Sequence, residues 1–189
     1  MHSHSSQERQ DNHLVVGVTG YIGAGKTSAT KYLCEVHGFH YVRYSQVLSE
    51  WLAKDSDDKD RLQTVGWDVM GGGMQAELNA RLIAQIPAQS NCAVDGLRHP
   101  VDFDSLTKSF PQHFYLLYID SAQEIRWQRR RSRFPQFEDF KRADSHPVEQ
   151  QIEALRGKAF RVINNDKSLQ DLYIKVDSLL EKMQQGGQR

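Results

Sequence analysis

The sequence predicts an α/β fold in three layers, a five-stranded parallel sheet with helices on both faces. Three observations predict it. Strand-like apolar runs alternate with stretches of helical periodicity instead of falling into separate blocks, and no internal repeat is visible. The run Phe114-Tyr115-Leu116-Leu117-Tyr118-Ile119 is continuously apolar, the pattern of a strand buried on both faces. Finally, Leu14-Val15-Val16-Gly17-Val18 leads into Gly20-Tyr21-Ile22-Gly23-Ala24-Gly25-Lys26-Thr27, which fits the Gly-x4-Gly-Lys-Thr phosphate-binding loop between a strand and a helix.

The elements follow in order. Residues 1–13 are rich in Ser and Gln and lack apolar periodicity, so they read as a disordered tail. Metal binding by His2, His4 and His13 is the alternative there. The first strand spans 14–19 and the first helix about 26–35, ended by Gly38, with a second short strand at 39–44. Ser45 is placed to cap the next helix, since Val47, Leu48, Trp51 and Leu52 repeat at helical spacing after it. A charged break at 55–61 precedes a helical region at 62–86, interrupted by Gly66 and by Gly71-Gly72-Gly73, which signal a hinge, a close approach or two helices.

Cys92-Ala93-Val94 is a compact strand leading to Asp95-Gly96-Leu97-Arg98, and 114–119 is the clearest buried strand, closed by Asp120. Helix resumes near Ala122 and carries Arg126, Arg129, Arg130, Arg131 and Arg133, followed by a loop at Phe134-Pro135 and a charged segment to Glu149. Residues 159–163 read as the last strand and Asn164-Asn165-Asp166 as a turn. Leu169, Leu172, Tyr173, Val176, Leu179, Leu180 and Met183 then form the packing stripe of a terminal helix. The expected domain is 14–183, with a flexible tail at 184–189.

Composition narrows the function. At 189 residues the length fits one domain, and Lys plus Arg equals Asp plus Glu at 24 each. A neutral chain has no overall field to draw it to nucleic acid or an anionic membrane, so any basic site must be local. Two cysteines, no signal peptide and no apolar run of membrane-spanning length predict a reduced, cytoplasmic protein. The expected state is a monomer or homodimer.

The phosphate loop has a physical reason for each residue. Glycines let successive N–H groups turn inward toward phosphate oxygens, with Gly20, Tyr21, Ile22, Gly23, Ala24, Gly25 and the helix start at Lys26, Thr27 and Ser28 forming the cradle. Lys26 reaches the β and γ phosphates and the Thr27 hydroxyl holds Mg²⁺, so ATP and Mg²⁺ are the expected cofactors. Asp95, after an apolar strand, suits the Mg²⁺ hydration shell, or with Gly96 forms only a turn. Arg98, three residues on, suits a second phosphate facing the first. Ser45 and Arg43, after the second strand, belong to the same crevice beyond the strand ends.

The arginine cluster has three readings. Arg126, Arg129, Arg130 and Arg133 share roughly one helical face by their spacing. They form a lid that closes over ATP and stabilises the transferring phosphoryl group, a solvated surface, or a nucleic-acid patch, the last weakened by the neutral charge.

These residues resemble the phosphate-loop kinases of nucleotides, a group of nucleoside and deoxynucleoside monophosphate kinases and dephospho-coenzyme A kinases. The resemblance spans most of 15–180. The opening from Val18 to Thr27 is similar to that of dephospho-coenzyme A kinases, and Asp95-Gly96-Leu97-Arg98 looks like the Asp-Gly-x-Arg of monophosphate kinases, whose arginine holds the acceptor phosphate. Arg126, Arg129 and Arg133 after Ile119-Asp120 resemble lid arginines, and Val162-Ile163-Asn164-Asn165-Asp166 resembles the last strand and adenine-side loop, which implies a role for Asn165 beside the nucleotide. The resemblance implies a kinase fold with a small arginine-bearing lid.

One departure bears on substrate. Dephospho-coenzyme A kinases carry an aspartate base after the second strand, where this chain has Tyr41-Val42-Arg43-Tyr44-Ser45-Gln46. A hydroxyl acceptor profits from a base, whereas an ionised phosphate needs positioning and charge neutralisation. Arg98 and Arg43 without a carboxylate there favour phosphoryl transfer to a nucleoside or deoxynucleoside monophosphate, modified or not. Asp95 could still act as a base, which leaves open a hydroxyl-directed kinase acting on dephospho-coenzyme A or on a nucleotide within nucleic acid. A nucleotide-binding regulatory or nucleic-acid-binding module is the third reading. Trp51, Trp67, Met70 and Met74 are core or pocket lining.

Overall fold

The computed structural model describes residues 13–55 and 73–186. The tail at 1–12, its histidines His2 and His4, the break from residue 56, Gly66, Trp67, Met70, Gly71, Gly72 and residues 187–189 lie outside the described residues.

Along the described chain run β1 (Val15–Thr19), α1 (Lys26–His37), β2 (His40–Arg43), α2 (Tyr44–Asp55), α3 (Gln75–Ile83), β3 (Cys92–Asp95) and α4 (Pro100–Ser109). They are followed by β4 (Phe114–Asp120), α5 (Gln123–Arg129), α6 (Phe137–Asp144), α7 (Pro147–Arg156), β5 (Arg161–Asn164) and α8 (Leu169–Gln184). The five strands form one sheet in the order β2-β3-β1-β4-β5, and every neighbouring pair is parallel. The chain leaves central β1 to build one side of the sheet and then crosses it to build the other, which opens a crevice at the strand C-terminal ends. The register sets Val18 beside Asp95, Arg43 beside Asp95, and Thr19 beside Tyr118 at that edge.

Strand alternation explains the two covered faces. Val16 and Val18 of β1 with Tyr115, Leu117 and Ile119 of β4 pack against Leu33 of α1 and Leu172, Val176 and Leu180 of α8. Val15 and Phe114, Leu116 point the other way and meet Val47 and Trp51 of α2, Leu78 and Leu82 of α3, Leu106 of α4 and Leu155 of α7. Each face therefore removes a continuous apolar surface from water, at roughly 25 cal/mol per Å².

Several boundaries differ from expectation. The first helix runs on to His37, because Gly38 adopts the left-handed conformation (φ 70°) and donates its N–H to the Cys34 carbonyl, closing the last turn. Ser45 does not cap α2; β2 passes straight into the helix, which begins at Tyr44, so Ser45 sits in its first turn. Three helices were not anticipated. α4 begins with Pro100 at its first turn, where the missing N–H costs nothing. α6 and α7 occupy the supposed loop and charged segment; they are rich in charge and short, and are held by the buried Phe140, Ile152 and Leu155 more than by helix propensity. The last strand begins at Arg161, after Ala159 and Phe160. Most consequentially, the arginine helix ends at Arg129, so Arg126, Arg129, Arg130 and Arg133 do not share a helical face.

Candidate functional site

The loop from Gly20 to Gly25 leaves β1 at the crevice. Gly23 (φ 79°) and Gly25 (φ 109°) hold conformations that favour glycine, and a Cβ on Gly23 would lie 2.6 Å from the Arg126 carbonyl oxygen. Gly25 is the N-cap of α1 and makes no side-chain cap bond, which leaves the first N–H groups of the helix, those of Lys26, Thr27 and Ser28, available to an anion at that end. Lys26 donates from Nζ to the carbonyls of Gly20 (2.5 Å) and Tyr21 (2.9 Å), which folds its ammonium back across the loop. Desolvation lowers its pKa to about 8, while the charge of Glu149 pulls in the opposite direction.

Asp95, 1% exposed, ends β3 beside this loop. Its Oδ2 accepts from the Thr27 hydroxyl (3.1 Å) and the Tyr41 hydroxyl (2.9 Å), with Arg43 Nε 3.8 Å away. Burial and the Asp95 charge raise the Tyr41 hydroxyl well above its ordinary range, so it stays a neutral donor. Thr27 and Asp95 fit Mg²⁺, a hard cation that keeps several waters and takes few protein oxygens.

On the opposite wall Arg98 is held at both ends. Asp102 Oδ2 accepts from the backbone N–H groups of Arg98 (3.0 Å) and His99 (2.9 Å), while its Oδ1 accepts from Gln75 and from Asn79 (3.0 Å) of α3. Tyr44 of α2 in turn donates its hydroxyl to Asn79 Oδ1. The guanidinium of Arg98 meets Glu149 of α7, with Nη1 3.0 Å from Oε1. These walls enclose a cleft of about 320 Å³ whose lining includes Gly23, Lys26, Thr27, Arg43, Ser45, Asp95, Arg98, Arg130 and Arg133. Five cations, Lys26, Arg43, Arg98, Arg130 and Arg133, face it against the carboxylates of Asp95 and Asp102, both already accepting hydrogen bonds. Even with Glu149 behind Arg98, a chain without net charge thus carries a net positive cleft.

The arginine cluster divides into three. Arg126 is 6% exposed and turned away from the cleft; it donates to Ser121 O (3.0 Å) and Ile22 O (3.0 Å) and pairs with Asp144, Nη2 to Oδ2 at 2.8 Å. Arg129 donates to the carbonyl of Asn165 at 2.7 Å. Only Arg130 and Arg133 reach the cleft. The helix stops at Arg129 and the chain turns, with Arg133 N–H bonded to Arg130 O. Asn165 donates from Nδ2 to Ala24 O at 2.7 Å, and its Oδ1 is buried with no hydrogen-bond partner. Asn165 therefore touches the back of the phosphate loop.

Sequence reasoning missed Tyr41, the Tyr44–Asn79–Gln75–Asp102 network and the two buried acids Asp144 and Glu149. Asp102 and Glu149 left a signal, because each is the acidic residue two places after a proline that starts a helix. Tyr41, Gln75 and Asn79 left none.

Comparison places the fold. No family model matches the chain, and no curated protein matches it by sequence. Solved structures do. A gluconokinase from Sinorhizobium meliloti aligns at 17% identity over 93% of this chain and 97% of its own, with a TM-score of 0.56. A shikimate kinase from Bacteroides thetaiotaomicron aligns at 15% identity over 89% and 98%, with a TM-score of 0.61. A shikimate kinase from Acinetobacter baumannii, in complex with shikimate, aligns at 17% over 91% and 95%, with a TM-score of 0.54. The five-stranded parallel sheet, its helical layers and the loop after β1 make this the fold of the phosphate-loop kinases.

Proposed function

We propose that this chain is an ATP- and Mg²⁺-dependent phosphotransferase that moves the γ-phosphoryl group to a nucleoside or deoxynucleoside monophosphate. The observation that carries this reading is that Arg98 and Arg43 share one cleft with the phosphate loop, and the carboxylates beside them are already engaged, Glu149 by Arg98 itself and Asp95 by Thr27 and Tyr41. Two phosphorylated ligands facing each other need this distribution of charge.

The mechanism follows from what each group does. Loop N–H groups and Lys26 bind and orient the donor phosphates; Lys26 exchanges the Gly20 and Tyr21 carbonyls for phosphate oxygens, a stronger charge-assisted partner. Thr27 and Asp95 would hold Mg²⁺, which would supply charge neutralisation at the donor phosphates. Arg98 and Arg43 fix the acceptor phosphate for in-line attack, a step that rests on positioning because that oxygen is already ionised. Arg130 and Arg133 face charge developing between the two phosphates, the place where fixed donors contribute most.

A second reading keeps the kinase and gives it a hydroxyl acceptor. It draws on structural neighbours named gluconokinase and shikimate kinase, and on Asp95 as the base. One experiment separates the readings: ADP release from Mg·ATP with a panel of common, deoxy and modified monophosphates, set beside dephospho-coenzyme A, gluconate and shikimate. Diphosphate products are expected. Turnover only with a hydroxyl acceptor would install the second reading, and no turnover with any acceptor would remove both.

A further inference from the structure

We propose that Asp144 and Glu149, which bracket the turn between α6 and α7, are positioning residues that lock the phosphate-loop wall and the Arg98 wall of the cleft to one another. The donor and acceptor names for those walls rest on the function proposed above; the mechanical link does not.

The two acids are five residues apart, 7% and 3% exposed, and each grips an arginine on a different wall. Asp144 takes both terminal nitrogens of Arg126, and Gln123 Nε2 adds a bond at 2.9 Å. Arg126 carries that grip into the phosphate loop, donating to Ile22 O at 3.0 Å while its backbone lies against Gly23. Glu149 Oε1 meets Arg98 Nη1 at 3.0 Å on the far wall. Between the acids the backbone is tied down: Ser145 N–H bonds to Lys141 O (2.9 Å), Glu149 N–H bonds to His146 O (2.8 Å), and Pro147 fixes its own φ. The tied turn gives the two acids a short, backbone-bonded connection through which the position of one bears on the other.

Glu149 shows that this arrangement is not simple charge satisfaction. Its second oxygen is buried with no hydrogen-bond partner, a costly state for an acid placed only for stability. An acid held in that state behind the cleft lining orients the Arg98 guanidinium beside it.

Nitrogen-15 NMR of the ligand-free full chain tests the link, reading hydrogen exchange at the Arg98 side-chain Nε and at the Ala24 amide, which bonds to the Tyr21 carbonyl within the phosphate loop, with Leu116 of β4 as an internal measure of global unfolding. Glu149→Gln should speed Arg98 exchange about tenfold, the weight of one charge-assisted hydrogen bond. It should also speed the Ala24 amide about threefold, with Leu116 unchanged, and Asp144→Asn should show the mirror pattern. If each substitution loosens only its own wall, the two acids are independent pins and the proposal is wrong. If the glutamine variant does not fold, Glu149→Asp, which keeps the charge but shortens its reach, supplies the same comparison.

Steady-state kinetics adds a second readout with the monophosphate that turns over fastest. Glu149→Gln should raise its KM about tenfold with kcat within about threefold, and the double variant should be no worse than the poorer single one. A lowered acceptor KM would mean that Glu149 competes for Arg98, which overturns the positioning role. Absence of turnover with every monophosphate counts against the proposed function alone, since the exchange experiment decides the link without any substrate.

Discussion

The two walls of the cleft are built in different ways. The phosphate-loop wall is one contiguous stretch, residues 20–28, and works largely through backbone N–H groups and one lysine. The Arg98 wall is assembled from β2, α2, α3, the β3–α4 turn and α7, joined by side-chain hydrogen bonds through Asp102, Asn79 and Glu149. A wall made by local backbone can fail chemically while the fold stands. A wall made by tertiary side-chain bonds cannot lose a member without losing stability as well.

Substitutions break this contrast in order of size. Lys26→Ala should lower kcat by about a thousandfold or more, the scale of removing a principal phosphate donor, with the melting temperature nearly unchanged; full turnover in coupled ADP assays would contradict the site assignment. Chelating Mg²⁺ should abolish turnover and restoring it should recover activity, without change in circular dichroism. Arg98→Ala should raise the acceptor KM about a hundredfold while the ATP KM shifts less than about threefold, since under the proposed function the guanidinium, oriented by Glu149, serves the acceptor phosphate and not the donor. Asp102→Ala should act on both properties. It strands the Gln75 and Asn79 amides and two backbone N–H groups, so urea unfolding should show a loss of about 2–3 kcal/mol with a parallel rise in acceptor KM. Tyr44→Phe, which removes only the outermost bond of that network, should cost about 1 kcal/mol and raise the acceptor KM a few fold.

The same contrast explains what could be read from the residues. The α/β architecture, the strand cores and the stripe of α8 from Leu172 to Met183 follow from periodicity, although Leu169 in its first turn is exposed, and the loop follows from glycines with a lysine and threonine at fixed offsets. Asp95 and Arg98 were legible as crevice residues because one ends a strand of an open sheet and the other follows it by three positions. The arginine segment was not, because periodicity assumes the helix continues, and α5 stops at Arg129. Arg126 then pairs with Asp144, eighteen positions away in a short charged helix, a partner that no local pattern announces. The side-chain networks behind Asp95 and Arg98 were equally hidden: Tyr41, Gln75 and Asn79 gain their places only when separate elements meet.

The positive cleft in a chain with zero net charge has a kinetic consequence. At physiological ionic strength a field fades over about 8 Å, so five clustered cations without long-range reinforcement are felt only at the doorway. Capture of an anionic ligand should proceed at an unsteered pace and depend little on salt, whereas departure must break several short charge-assisted bonds at once. Turnover would then be governed by how quickly spent nucleotides escape, and the arginines that bind most firmly would also be the ones that delay the next cycle.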